Sequence, residues 1–134
     1  MNYWLKIKIL LAASALCFST KAWSAELYVI SNQALSIEPS ALKAIFLGDT
    51  QFSGFVKLDV TDNSAAQNVF LSKVVGMDKA KYDAAWVKKS FRDGINQPPV
   101  RGSDAEVIDF VKKTPGGVGY VITAPVGVKI IQQY

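Results

Sequence analysis

The chain has 134 residues, with 15 Lys and Arg against 11 Asp and Glu, a single cysteine and no histidine. That length is enough for one domain with its own core. The missing histidine removes every histidine-based acid–base mechanism and, with so little cysteine, most zinc sites.

The first 24 residues have the order of a secretory signal peptide. Lys6 and Lys8 come first, Ile9 to Phe18 is an apolar run, and Thr20 to Ala25 is rich in small residues. Cleavage after Ser24 puts Ala22 and Ser24 at the two small positions. The run is short for a membrane span. Cys17 suggests a lipoprotein, but Leu16 stands where that signal needs a small residue. Loss of Lys6, Lys8 and Lys21 leaves 12 basic residues against 11 acids, a net of +1. Such a balance gives no electrostatic case for a nucleic-acid partner. The expected organisation is therefore a leader at 1–24 and a single α/β domain at 25–134, in the periplasm, where a chain without cysteine avoids stray thiol chemistry.

Glu26 to Ser31 reads as an opening strand, nearly all apolar, as in a sheet covered on both faces. Asn32 to Leu35 turns the chain. Ser36 or Glu38 caps a helix that carries Ile37, Ala41 and Ile45 on one side and stops at Gly48. Asp49 to Gly54 is a polar loop, and Phe55 to Val60 a second strand. Asp62 or Asn63 is expected to cap a helix over Ser64–Val75. A third helix starts at Asp78 and turns Tyr82, Ala85, Trp86 and Lys89 to one side, a pattern typical of core packing. Arg92 to Gly102 is an ordered loop containing Pro98-Pro99.

The next joint is strongly punctuated. Ser103 and Glu106 form a capping box, Val107, Ile108 and Val111 face a core, and Lys112-Lys113 suit the negative end of the helix dipole. Thr114-Pro115 stops the helix, Gly116-Gly117 turns, and Val118 to Ile122 is a strand. A last strand covers Gly127 to Ile131. Strands alternating with helices predict an α/β three-layer sandwich with a mixed, partly parallel sheet.

Ligands of such sheets gather at the carboxyl ends of strands, where helix starts present free N–H groups to anions. The leading candidates are Thr61, Asn63 and Ser64 at the strand-to-helix joint, whose alternative role is simple capping. The Gly116-Gly117 turn and Ser31-Asn32 follow, and Arg92 and Arg101 offer an anion-pairing fork. No catalytic constellation, metal set or cofactor motif appears: no Ser-x-x-Lys opens a helix, and Asp59 and Asp62 form no glycosidase pattern.

Three phrases, Leu42-Lys43-Ala44-Ile45-Phe46-Leu47-Gly48, Asn63-Ser64 leading to Phe70, and Gly102 to Val121, together resemble the phosphate-binding branch of type 2 periplasmic solute-binding proteins. The resemblance implies one lobe of that fold, a small oxyanion such as phosphate as ligand, and delivery to an ABC transporter permease. A single lobe leaves that half-site open, so weak affinity or a homodimer across the site edge is expected, with a transporter permease or a membrane sensor as partner. The alternative is an interaction module that keeps the lobe without the ligand. The phrase Asn63-Ser64-Ala65-Ala66-Gln67 departs from the family's Ser-Gly-Thr with its nearby arginine.

Overall fold

The computed structural model describes residues 26–134; the expected leader lies outside the described residues. Four strands, β1 (Tyr28–Ser31), β4 (Asp59–Val60), β7 (Gly117–Val121) and β8 (Lys129–Gln133), make the main sheet in the order β4-β7-β1-β8. β4 runs parallel to β7, with Asp59 opposite Gly117, whereas β1 is antiparallel to both β7 and β8. The sheet is therefore mixed, as the alternation of elements predicts.

Side chains alternate across the sheet, and each face is covered. Ile30 and Val121 point to one side and pack on Val107 and Val111 of α4 (Asp104–Lys113). Val29, Val118 and Tyr120 point to the other, where α1 (Leu42–Phe46), α2 (Gln67–Phe70) and α3 (Lys79–Asp93) supply Phe46, Phe70, Tyr82 and Trp86. Helix, sheet and helix make three layers. The larger core centres on an aromatic cluster in which the Phe70 and Tyr120 rings stack at 3.9 Å between centroids, with Phe46 4.4 Å from Phe70. Each such fully buried side chain stabilises the fold by roughly 1.5–3 kcal/mol.

Local signals explain α3 and α4. Asp78 accepts the Lys81 N–H and caps α3. Ser103 accepts the Glu106 N–H at 3.3 Å, and the Glu106 carboxylate reaches back to the Gly102 N–H at 3.1 Å, so the capping box closes one residue early. On the antiparallel edge, the Glu26 and Leu27 N–H groups both donate to the Tyr134 carbonyl, closing the start of the domain on its end.

Three expectations are corrected. The second strand is not continuous: β2 (Phe52–Ser53) and β3 (Val56–Lys57) form a separate hairpin before β4. Its two-residue turn has Gly54 at φ +59°, the left-handed region where a side chain is strained. The helix expected over Ser64–Val75 begins at Gln67 and ends in a wider turn, Leu71–Val75, whose last bond runs from the Gly76 N–H to the Leu71 carbonyl. Neither Asp62 nor Asn63 caps it. They form β5 (Asp62–Asn63), which pairs in parallel with β6 (Val100–Arg101). Finally, Glu38 precedes the Pro39–Ala41 turn into α1 without any side-chain cap.

Candidate functional site

Parallel pairing puts Asn63 opposite Arg101, so the chain leaves β5 toward α2 beside the point where it leaves β6 toward α4. The Ser64 N–H donates to the Arg101 carbonyl at 2.9 Å and the Asp62 N–H to the Pro99 carbonyl at 2.9 Å. Thr61 is fully buried, and its hydroxyl donates to the Pro99 carbonyl at 3.0 Å, tying the two strands together. Asn63 is also fully buried. Its amide donates to Asp104 Oδ1 at 2.8 Å and to the Tyr120 carbonyl at 3.0 Å, while its Oδ1 accepts the Ala65 N–H. Ser64 is exposed at the surface of the same junction.

The structure brings Thr61, Asn63 and Ser64 together and holds the other candidates apart. Asn32 donates to the Val111 and Lys112 carbonyls at the far end of α4, and its own N–H donates to Gly117. Ser31 lies beside it, its hydroxyl on the Asn32 carbonyl. Gly116 and Gly117 are buried there too. A side chain on Gly116 would overlap the Lys57 carbonyl, and one on Gly117 would come within 2.9 Å of Val111 Cα. Ser31, Asn32, Gly116 and Gly117 thus seat the C-terminus of α4, while Thr61, Asn63 and Ser64 lie at its N-terminus. The ten residues of α4 put the two groups roughly 14 Å apart.

Both arginines considered from the sequence can be placed. Arg92 grips Asp93 with two 3.0 Å bonds on the exposed end of α3, which holds the Asp93 carboxyl below its ordinary range. Arg101 stands at the junction, its guanidinium 4.0 Å over the Phe110 ring. Its Nε is buried without a hydrogen-bond partner, and so is Gln67 Nε2, in the first turn of α2. No carboxylate of the described residues pairs with Arg101. The sequence supplied no reason to connect Arg101 with Asn63, because their pairing spans two helices.

Behind the junction lies a buried acid. Asp62 is fully inaccessible and accepts the Tyr82 hydroxyl at 2.7 Å and the Tyr120 hydroxyl at 2.8 Å. Burial pushes its carboxyl up to about 6, against the pull of the two phenol hydrogen bonds. Burial and the adjacent Asp62 charge raise both phenols above their ordinary range. A separate cleft of about 380 Å³ opens along the outer side of β4, lined by Val60, Trp86 and the Gly94–Pro99 loop. Thr61, Asn63, Ser64 and Arg101 do not line it.

A mixed sheet covered on both faces by helices, with the starts of α2 and α4 side by side beyond the small β5–β6 sheet, is a three-layer α/β fold. Among solved structures, the chain is similar to an ABC-type phosphate transport receptor from Vibrio cholerae at 16% identity and a TM-score of 0.51, over 81% of this chain and 46% of the receptor. PstS from Borrelia burgdorferi is similar at 16% identity and a TM-score of 0.47, over 72% of this chain and 40% of that one. The likeness is one of fold, and the chain spans less than half the length of either structure. No protein-family model and no curated protein sequence matches the chain.

Proposed function

We propose that the chain is a one-lobe solute-binding module of the phosphate-receptor type, acting in the periplasm, with its oxyanion half-site at the β5–α2 and β6–α4 junction. Ser64, Gln67 and Arg101 supply the donors, on the frame set by Thr61 and Asn63. The observation that carries this reading is the pair of orphaned donors. Among the described residues, Gln67 Nε2 and Arg101 Nε are the buried side-chain polar atoms without partners, and both belong to this junction. Buried donors are almost always satisfied, so each of these two is a donor that an acceptor oxygen admitted to the junction would satisfy. Phosphate is the expected anion from the resemblance in sequence and fold. The described lobe leaves the site open on one side, and the proposed partners are a second copy, a transporter permease or a membrane sensor.

A specific observation favours a second reading, an interaction module without a solute. Phe55 is wholly exposed at the tip of the β2–β3 hairpin and Phe52 is 57% exposed beside it. Exposed aromatics on a protruding hairpin offer an apolar contact to a partner protein.

Calorimetric titration of the chain with phosphate and with sulfate separates the two. Solute capture gives weak saturable binding whose affinity Arg101→Met lowers about tenfold or more, the loss of one charge-assisted bond. No heat from the folded native chain overturns it and leaves the interaction module.

A further inference from the structure

Asp104 sits at the first position of α4, where an acid commonly just complements the helix dipole. Its surroundings go well beyond that. Oδ2 accepts the Ile122 N–H at 3.1 Å, the Thr123 N–H at 3.0 Å and the Thr123 hydroxyl at 2.8 Å, while Oδ1 accepts the Asn63 amide at 2.8 Å. Four donors from two other segments converge on one carboxylate. No cation of the described residues pairs with it. Two successive backbone N–H groups, a hydroxyl and a primary amide, all neutral and all aimed at one point, are the donor set that proteins use to hold an oxyanion.

We infer that this cradle is an oxyanion site occupied by the chain's own carboxylate. Asp104 is its built-in ligand, and a free oxyanion reaches the four donors only by displacing it. The exit from β7, the start of α4 and Asn63 are therefore locked together by an anion supplied in cis. The inference does not depend on solute capture at Arg101, since it concerns donors that Asp104 already holds.

Removing the carboxylate while leaving the donors tests it. Asp104→Gly empties the cradle, and Asp104→Ser does so more gently, because serine costs the helix less than glycine. Thermal unfolding of each variant and of the native chain is followed against sodium formate and against inorganic phosphate, with sodium chloride matched for ionic strength. The expected result is a lowered Tm in both variants, with a rise of roughly 4 °C or more on adding formate or phosphate and none from chloride. The native chain shows no such rise from formate, and adding Thr123→Val to Asp104→Ser abolishes the rescue. Folded variants that ignore both anions overturn the inference and leave Asp104 as a structural tie. So does a variant that stays unfolded at saturating formate and phosphate. The Arg101→Met titration is read on the native background, so failure of one proposal leaves the other measurable.

Discussion

The buried carboxyl of Asp62 makes this fold depend on pH in an unusual direction. Its folded value of about 6 lies above the ordinary 3.8, because burial disfavours the charged form. The folded chain therefore holds a proton that the unfolded chain has released. The associated stability is fully present below the ordinary aspartate value and is lost as the pH rises through about 6. A shift of roughly two units corresponds to about 3 kcal/mol, a large share of the stability of a domain this size. Asp62→Asn removes the titration while keeping a polar group of the same shape between Tyr82 and Tyr120. Urea unfolding of both proteins from about pH 3 to about pH 7 isolates the effect, because the other acids titrate equally in each. The asparagine variant is expected to gain about 3 kcal/mol on the native chain across that range. Two stability curves that stay parallel to within about 0.5 kcal/mol would refute the reasoning, and would mean that the two phenol hydrogen bonds already offset the burial.

Gly116→Ala is expected to destabilise by about 2 kcal/mol or more, since its methyl group would overlap the Lys57 backbone carbonyl, and urea midpoints measure the loss. Asn32→Ala leaves the last carbonyls of α4 and the Ala34 N–H without their partner, a loss of about 1–2 kcal/mol by the same assay. Phe70→Ala removes the ring that stacks on Tyr120 and touches Phe46, with an expected loss of about 3–5 kcal/mol in thermal or urea unfolding. Phe55→Ser, by contrast, is expected to change stability by no more than about 0.5 kcal/mol, because the ring is wholly exposed.

What could be read from the sequence follows how far each signal reaches along the chain. Ser103, Glu106, Lys112, Lys113, Thr114 and Pro115 act on their near neighbours, and α4 with its following strand appears where they predict. The same holds for Asp78 and α3. Asp62 and Asn63 mislead for the opposite reason. Both are good cap residues by type, yet their side chains are held by Tyr82, Tyr120 and Asp104, partners from 20 to 58 residues away. Burial with distant partners overrides a local preference worth only about 1 kcal/mol. The split of the candidate site was hidden as well. Glycine turns at the two ends of α4 look alike in sequence, and only the sheet register shows that Asn32 and Asn63 lie on opposite edges. Arg101 was a candidate by residue type, but its place beside Asn63 came from strand pairing, and Asp104 came into view through the loop after β7.

The order of strands has a consequence for how the chain comes to be folded. The first strand to be synthesised, β1, is an inner strand of the sheet, and both its neighbours, β7 and β8, come from the far end of the chain. Until those last strands exist, Leu27, Val29 and Ile30 have no partners to pair with. Closure over so long a separation is slow, because the entropy of the whole intervening loop is lost before the contacts form. Among the described residues, the main sheet can therefore close around β1 only once β7 and β8 are available.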